Sequence, residues 1–379
     1  MIAARSFIEA AREFGFRLYT GVPCSYFKSF INYVIDADEL RYVGATNEGD
    51  AVAIAAGAEL GGTRSIAMFQ NSGLGNAVNP LTSLTHAFKI PVLLITTLRG
   101  APEGPPDEPQ HRLMGAITTQ LLDSMKIPWE YFPTVDDEVP AAVARASEYM
   151  EKARRPYALI MKKGSVDRWG LHSVPETKAF STVSGVVSEG SFTRREMLAA
   201  IQDGLDTRDV TIATTGYTGR ELYALDDRPS QLYMVGSMGC ASSLGLGLAI
   251  ARPDCRVIVI DGDGAALMRM GAFATIGYER PRNLVHILLD NQTHESTGGQ
   301  ATVSHSIDFC GIASACGYPQ VQSQATPAGL TDCLRAPTAE LTFIHVRITP
   351  GTPKDLPRPT ITPDEVADRL RKHLAAKRL

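Results

Sequence analysis

The chain has 379 residues, which is enough for two domains of ordinary size, each with its own core. Its charges nearly balance, at a formal net charge of −4, and no basic stripe is interleaved with aromatic residues. This argues against nucleic-acid binding and favours a small-molecule ligand. The amino-terminal segment is charged throughout and no apolar run reaches membrane-spanning length, so we expect a cytoplasmic protein without a signal peptide or membrane contact.

The first part of the chain alternates predicted strands and helices, which is typical of an α/β domain. Polar or glycine-rich residues follow the strands, among them the predicted loop 71–76. The predicted strands cover residues 17–19, 40–44, 65–69, 92–96, 129–132 and 157–162. The predicted helices cover residues 3–14, 26–35, 48–60, a segment ending at 88, 118–125 and 138–153.

Two segments interrupt this alternation. Residues 99–112 are rich in proline and charge, which suits either a functional loop or lid or a solvated surface excursion. Further on, Ser, Gly, Val and Thr dominate and periodicity is lost, so we predict an interdomain linker over residues 166–192. The predicted domains are therefore residues 1–165 and 193–379.

The second domain repeats the α/β pattern. Thr193 is a predicted helix cap, with Glu196 at the capping-box position. The predicted strands cover residues 210–213, 233–235, 257–260, 284–289 and 341–346. The predicted helices cover residues 194–205, 241–251, 265–278, 308–317 and 363–377.

Acidic and amide side chains follow two neighbouring strands of this second domain. Asp261–Gly264 comes after one buried strand, and Asp290-Asn291 ends the next. Parallel strands of one βαβ unit end at the same sheet edge, so Asp263 and Asn291 should lie close together. Oxygen ligands beside glycines suit Mg²⁺ holding a diphosphate.

Three other interpretations of Asp261–Gly264 compete with a metal site. A dinucleotide fingerprint is excluded because Leu267 stands where the third glycine belongs. An EF-hand is excluded because Ala266 and Ala272 occupy the positions of the turn glycine and the bidentate carboxylate. On these residues alone, an ordinary acidic turn stays as plausible as a metal site.

Further motifs carry a family resemblance. Asp261–Gly264 with Asp290-Asn291, together with Gly236–Gly239 and with Glu48 at the head of its helix, resembles the thiamine diphosphate motif. The domain order, with no middle domain, resembles the two-domain phosphonopyruvate and sulfopyruvate decarboxylase family. Additional matching segments are Gly21–Ser25, Gln70–Asn76, Asp107–His111, Thr215–Leu222 and His294–Gln300.

The resemblance implies two tandem thiamine diphosphate-binding domains of α/β class, pyrimidine-binding first and diphosphate-binding second. Each is expected to be an open, mostly parallel sheet with helices on both faces. The implied reaction converts 3-phosphonopyruvate to 2-phosphonoacetaldehyde and CO₂ through a cofactor ylide and enamine, within phosphonate biosynthesis. Sulfopyruvate is the alternative substrate. A carboligase is disfavoured because the usual flavin-binding middle domain is missing. A non-enzymatic cofactor-binding protein is disfavoured because it would be expected to lose Glu48 or Asp263, and both are present.

The resemblance also assigns cofactor residues. Glu48 would hydrogen-bond the cofactor's aminopyrimidine, although a first-turn glutamate that complements the helix dipole is the alternative. Asp263 and Asn291, with the backbone carbonyl of Thr293, would ligate Mg²⁺. Met238 would hold the cofactor bent, unless it is ordinary core packing. The remaining predicted cofactor-binding residues are Gly73, Thr215, Gly216, Gly236, Ser237, Gly262, Gly264 and Ala265.

For catalysis and substrate binding, His111 and His294 are the candidate proton donors. Ser25 and Lys28, at the start of a helix, are the first choice for the phosphonate, with Lys28 as a solvated surface residue the alternative. Lys354 and Arg358 are the second choice. Further predicted substrate-binding residues are Asn71, Ser72 and His111.

Two departures from the family pattern matter. The family's double asparagine reads Asp290-Asn291 here, but the resemblance places the metal ligand at the second residue, so we expect Mg²⁺ binding to be little affected. The tail at residues 352–359 also departs, which leaves its anion-binding role open. Because the family places the cofactor between domains of different subunits, we expect at least a homodimer.

Overall fold

The computed structural model describes residues 1–104, 107–173, 190–297, 299–337 and 339–376. The chain divides into two compact units, Met1–Glu176 and Thr177–Leu379. Of the predicted linker, residues 174–189 lie outside the described residues. Residues 166–173 contact the first unit, where Val166 forms a parallel bridge with Ile2. The domain boundaries stay a prediction.

The first unit is built on a parallel sheet of six strands in the order β2-β1-β3-β4-β6-β5. The strands are β1 (Phe16–Gly21), β2 (Arg41–Gly44), β3 (Arg64–Phe69), β4 (Leu93–Thr97), β5 (Trp129–Tyr131) and β6 (Tyr157–Met161). The helices that flank it are α1 (Ala4–Glu13), α2 (Lys28–Asp36), α3 (Glu48–Leu60), α4 (Leu74–Pro80), α5 (Arg112–Ser124) and α6 (Val139–Ala153).

Aromatic packing holds α1 and α2 together in this unit. The rings of Phe7, Phe30 and Phe132 lie with centroids 4.8–5.6 Å apart and are buried in one core cluster.

Helix α3 is buried on nearly all sides, and most of its residues are alanine, glycine or branched aliphatics. A helix that is apolar all round belongs inside the fold. Its polar first residue therefore stands at the sheet edge.

The second unit contains another parallel sheet of six strands, in the order β13-β14-β10-β9-β7-β8. Its strands, together with a short antiparallel pair β11-β12, are β7 (Val210–Ala213), β8 (Gln231–Tyr233), β9 (Val257–Gly262), β10 (Leu284–Asp290), β11 (Thr293–His294), β12 (Gln300–Ala301), β13 (Gln320–Ser323) and β14 (Thr342–Arg347). The helices are α7 (Arg194–Gly204), α8 (Tyr217–Leu225), α9 (Ala241–Ala251), α10 (Asp263–Met268), α11 (Gly271–Glu279), α12 (Phe309–Ala315), α13 (Pro327–Arg335) and α14 (Pro363–Ala376).

The predicted fold class is confirmed: there are two α/β domains, each with a six-stranded parallel sheet flanked by helices. The bounds of α3, α9 and β7 match the prediction, and the capping box of Thr193 with Glu196 is present. Within the described parts of the chain, no helix combines the length and apolar character needed to cross a bilayer.

Some predicted elements were wrong. The predicted loop 71–76 is helical, because a 3-10 turn over Asn71–Gly73 leads directly into α4. The single helix predicted over 265–278 is two helices that break at Arg269, whose extended φ of −131° ends α10. Helix α5 begins at Arg112 rather than at residue 118. Helices α8 and α13 and strand β13 were missed, and β13 shows only partial burial without clear alternation.

Candidate active site

Loops that follow strands β7, β9 and β10 surround a cavity in the second unit. The carboxyl ends of parallel strands share one sheet edge, which is where open α/β sheets bind ligands. Most residues predicted for the cofactor and metal line this cavity, namely Thr215, Gly216, Met238, Gly262, Asp263, Gly264, Ala265, Asn291, Thr293 and His294. Gly236 and Ser237 come directly before Met238 on the loop between β8 and α9.

Asp263 begins α10 directly after strand β9, and its side chain is buried. Its Oδ2 accepts a hydrogen bond from the Thr302 hydroxyl at 2.5 Å. Burial, together with the negative charge of Asp290, raises the pKa of Asp263. A cation bound beside this carboxylate would offset both effects. The side chain therefore fits a hard metal ion such as Mg²⁺.

Asn291 follows strand β10 and is buried. Its Oδ1 accepts a hydrogen bond from the Thr293 backbone N–H at 3.1 Å, and its Nδ2 donates one to Glu295 Oε2 at 2.8 Å. Gln292, between them, has a φ of +61°, which turns the chain from β10 into β11. This turn places the Asn291 amide and Thr293 in the wall of the same cavity as Asp263.

Asp290 ends strand β10 and is the residue that departs from the expected double asparagine, and strand β14 compensates its charge. The carboxylate accepts a hydrogen bond from His345 Nε2 at 3.0 Å and forms an ion pair with Arg347 at 3.1 Å. The Ser304 hydroxyl donates to its other oxygen at 2.9 Å. Burial alone would raise the pKa of Asp290, but His345 and Arg347 hold it below its ordinary value. The added negative charge is therefore balanced within the sheet.

Gly216 directly precedes helix α8 and has a φ of +93°, a conformation that glycine adopts without strain. A Cβ built there would meet nothing within 4 Å, so the space beside the backbone is open. The first N–H groups of α8 have no partner within their helix, and the helix dipole favours an anion there. This cradle fits a diphosphate group.

The loop before α9 brings Met238 against Gly264. A Cβ built on Gly264 would lie 3.2 Å from Met238 Cε and 2.9 Å from His294 Cε1. The loop is a tight turn, with positive φ at Ser237 and Gly239. Met238 is half-buried and lines the cavity, so it and His294 together narrow the space above Gly264.

In the first unit, Glu48 is the first residue of α3, and Asn47 caps this helix by accepting the Gly49 N–H at 2.8 Å. Glu48 Oε2 accepts a hydrogen bond from Asn76 Nδ2 at 2.8 Å. The side chain lies against Gly73, where an added Cβ would be 2.3 Å from Glu48 Cδ and Oε1. Gly73 and Asn76 therefore fix the direction of the Glu48 carboxyl.

The predicted substrate residues of the first unit have different surroundings. Ser25, Lys28 and Ser72 are exposed at the ends of β1 and β3. Asn71 is buried, and its Nδ2 donates to the Arg99 carbonyl and to Thr118 Oγ1, each at 3.0 Å. Asn71 therefore ties the segment after β4 to the helical turn after β3.

His111 is buried at the end of the segment that follows β4. Within the described part of the chain its Nδ1 is buried without a hydrogen-bond partner. Arg99, at the start of this segment, donates two hydrogen bonds to Asp107, at 2.5 and 2.7 Å. These bonds hold the pKa of Asp107 well below its ordinary value. The Arg99–Asp107 contact thus ties the middle of the predicted loop to its start.

The carboxy-terminal tail runs over helix α8. Arg220 donates hydrogen bonds to the carbonyls of Leu356 and Pro357. Lys354 and Arg358, the second-choice anion ligands, are exposed on this tail.

Several residues that contact the predicted site residues were not singled out from the sequence. Asn76 contacts Glu48, Thr302 contacts Asp263, and the ion pair of Arg194 with Glu295 adjoins Asn291; these partners are brought together only by the fold. Among the described residues no group of three or more His, Cys, Asp or Glu side chains is arranged to hold a metal, so a cation beside Asp263 needs amide or backbone oxygens.

Comparisons with known proteins agree with this geometry. Models of the thiamine pyrophosphate enzyme N-terminal and C-terminal TPP binding domains match residues 1–127 and 215–346. The phosphonopyruvate decarboxylase of Streptomyces viridochromogenes is 44% identical, covering 98% of this chain and 94% of its own. The sulfopyruvate decarboxylase of Methanosarcina acetivorans is 32% identical, covering 98% and 97%. The crystal structure of benzoylformate decarboxylase from Polynucleobacter necessarius shares the fold, with a TM-score of 0.72 at 13% identity over 92% of this chain and 99% of that one.

Proposed function

Because this chain belongs to the thiamine diphosphate-dependent phosphonopyruvate and sulfopyruvate decarboxylase family, we propose that it converts 3-phosphonopyruvate to 2-phosphonoacetaldehyde and CO₂. The observation that carries this proposal is the near full-length similarity to a phosphonopyruvate decarboxylase, which exceeds the similarity to the sulfopyruvate enzyme. Sulfopyruvate is the second candidate substrate because that relative also spans nearly the whole chain. A role in phosphonate biosynthesis, in the cytoplasm, belongs to the same proposal.

The second unit would hold the diphosphate end of the cofactor. When bound, thiamine diphosphate supplies the electron sink that lets CO₂ leave from a 2-keto acid. Asp263, Asn291 and the backbone carbonyl of Thr293 would hold Mg²⁺, since all three residues line one cavity and offer oxygen ligands. The open backbone at Gly216 would receive the diphosphate.

Glu48 would hydrogen-bond a ring nitrogen of the cofactor's aminopyrimidine. Support comes from its place at the head of a buried helix and from the two contacts, with Gly73 and Asn76, that fix its carboxyl. Ser25 and Lys28 would attract the phosphonate as exposed polar and cationic groups near the start of α2.

A proton must replace the departing carboxylate on the substrate. His111 and His294 are the candidates to deliver it. His294 lines the cavity of the second unit, and His111 carries a buried ring nitrogen without a partner among the described residues.

Because the family resemblance implies a cofactor held between domains of different subunits, we further propose a homodimer. In it, the first unit of one chain and the second unit of its partner, which carry Glu48 and Asp263, would share a cofactor. Such an arrangement would give two composite sites for each dimer.

The substrate assignment is tested by steady-state kinetics with thiamine diphosphate and Mg²⁺ present. We expect kcat/KM for 3-phosphonopyruvate to exceed that for sulfopyruvate by about tenfold or more, because a cationic site favours a dianion over a monoanion. Pyruvate, which lacks the second acidic group, serves as the matched control and should be poorer still. A higher kcat/KM for sulfopyruvate would overturn the phosphonate assignment while leaving the decarboxylase assignment intact.

A further inference from the structure

Glu295 is the central residue of a buried polar network beside the proposed cation site. Its Oε2 accepts hydrogen bonds from Asn291 Nδ2, at 2.8 Å, and from the Arg194 guanidinium. Its Oε1 accepts one from the backbone N–H of Gly351 on the carboxy-terminal tail. The Glu295 side chain is 13% exposed and that of Arg194 is 6% exposed. These contacts place the carboxylate of Glu295 at the Nδ2 end of the Asn291 amide, in the wall of the same cavity.

This contact decides which end of the Asn291 amide is oxygen. A carboxylate only accepts hydrogen bonds, so it must face the Nδ2 group of Asn291. On the opposite end, the Thr293 backbone N–H only donates, so it must face Oδ1. Both neighbours therefore select the same orientation of the amide. A flipped amide would set oxygen against oxygen and N–H against N–H, and it would lose both bonds.

Arg194 holds the carboxylate in turn. It is the first residue of α7, directly after the Thr193 cap, and its guanidinium lies between two carboxylates. Its NH1 donates to Glu221 Oε1 at 2.7 Å, while its NH2 reaches Glu295. A buried anion needs such a partner, because an unpaired charge in this position is costly. Arg194 thus holds Glu295 beside Asn291, and all three residues line the same cavity.

We propose that Glu295 is a positioning residue for the divalent cation, acting by fixing the Asn291 amide with its oxygen available to the metal, and that Arg194 holds Glu295 in place. This inference rests on the proposed function, since it concerns the same cation site. Replacing a residue that hydrogen-bonds to a metal ligand and orients it commonly weakens metal binding 10- to 100-fold.

The experiment measures Mn²⁺ binding to the full-length protein by electron paramagnetic resonance, with thiamine diphosphate present and without substrate. We expect Glu295→Gln to raise the Kd for Mn²⁺ about tenfold, because glutamine cannot accept from Arg194, Asn291 and Gly351 at once. Glu340→Gln is the matched control. The Glu340 carboxylate also accepts a hydrogen bond from a side-chain amide, that of Gln320 at 2.9 Å, but Glu340 does not line the cavity, so we expect little change in the Kd.

A reciprocal exchange separates positioning from general stability. In the double variant Asn291→Asp with Glu295→Gln, the side-chain N–H₂ of the glutamine donates to one oxygen of the new carboxylate. The other oxygen of that carboxylate still accepts the Thr293 backbone N–H. We expect the double variant to recover most of the Mn²⁺ affinity that Glu295→Gln loses. Thermal unfolding of the cofactor-free proteins shows whether each variant is folded. If Glu295→Gln does not fold, Arg194→Lys replaces it, and this variant should also bind Mn²⁺ more weakly because lysine lacks the guanidinium fork.

The outcomes distinguish this inference from the proposed function. The positioning role would be overturned if wild-type protein binds Mn²⁺ and folded Glu295→Gln or Arg194→Lys protein binds it equally well. The proposed function would then still stand. A loss in Glu295→Gln that the double variant does not recover would also overturn the positioning role. Wild-type protein that does not bind Mn²⁺ in the presence of thiamine diphosphate would overturn both.

Discussion

Glu48 shows how a single glycine leaves room for the side chain of a predicted site residue. The Glu48 side chain occupies the space that a Cβ at residue 73 would fill. Asn76, one helical turn further on, supplies the hydrogen bond that completes its placement. The carboxyl group is therefore fixed by one contact with Gly73 and one hydrogen bond, both from the segment that follows β3.

Replacing Gly73 by alanine is expected to displace the Glu48 carboxyl, because the added Cβ would lie 2.3 Å from Glu48 Cδ. A displacement of about 1 Å costs on the order of 100-fold in rate when a reacting group must be aligned. We therefore expect kcat/KM to fall about 100-fold, with little change in the fold as judged by circular dichroism.

Gly75→Ala is the matched control, because a Cβ at Gly75 meets nothing within 4 Å and the residue lies in the same helical segment. We expect this variant to retain wild-type kinetics. Equal activity of the two variants would show that the contact between residue 73 and Glu48 does not matter for catalysis.

At the scale of elements, helix α3 carries Glu48 at its first position and Glu59 near its end. Glu59 Oε1 accepts a hydrogen bond from the Ser65 backbone N–H at 2.8 Å, which joins the end of the helix to strand β3. Burial nevertheless raises the pKa of the Glu59 carboxyl from 4.5 to about 8, against the lowering effect of this bond and of Arg64. The helix is thus sensitive to pH at the end remote from Glu48.

The sign of the pH effect follows from the raised pKa. Below pH 4.5 the carboxyl is protonated in both states, and the favourable contribution of Glu59 to stability is fully present. As the pH rises toward about 8, the unfolded state loses its proton first and this contribution is lost. We expect Glu59→Gln to become progressively more stable relative to wild type between pH 5 and pH 8, as measured by urea unfolding at about four pH values.

Glu151→Gln serves as the control for this series, because the Glu151 side chain is 71% exposed. Its stability difference from wild type should vary little over the same range. A Glu59→Gln difference that stays constant with pH would contradict the raised pKa.

The sequence predicted elements best where composition and position agree. Helices α3 and α9 are rich in small and apolar residues and are buried almost all round, and their bounds matched. Helix α8 was missed because the residues after β7 are rich in threonine and glycine, which does not favour a helix, whereas Gly216 is the residue before one. The glycines of the 71–76 segment suggested a loop, but hydrogen bonds from Asn71 to Arg99 and Thr118 anchor a helical turn there.

The candidate site was predictable where local motifs mark it. Residues such as Asp263 and Asn291 follow strands in a recognisable pattern, and they line one cavity. The contact between Arg194 and Glu295, which adjoins Asn291, was not predictable, because the two residues are 101 positions apart in the chain. No short-range pattern encodes such a pair, and only the sheet topology brings the two side chains together.

At the scale of the whole molecule, two α/β units of similar architecture each carry one part of the proposed site. The first unit presents Glu48, and the second presents Asp263 and Asn291. The proposed homodimer makes a specific prediction for mixtures of inactive variants.

Glu48→Gln and Asp263→Ala are each expected to be inactive when pure. After unfolding and refolding together, mixed dimers would contain one site with both residues intact, built from the first unit of one chain and the second unit of the other. We expect decarboxylase activity to reappear, to about a quarter of the wild-type level for random pairing in a dimer. No recovery in mixtures shown to contain mixed dimers by native mass spectrometry would contradict a site shared between chains.

The most direct test of the central claim is CO₂ release from 3-phosphonopyruvate by purified protein that has been stripped of metal and cofactor. The assay compares four conditions: no addition, thiamine diphosphate alone, Mg²⁺ alone, and both together. We predict substantial CO₂ and 2-phosphonoacetaldehyde only when both are present, and none from Asp263→Ala under the same condition. Turnover without thiamine diphosphate, or no turnover with both additions, would contradict the assignment.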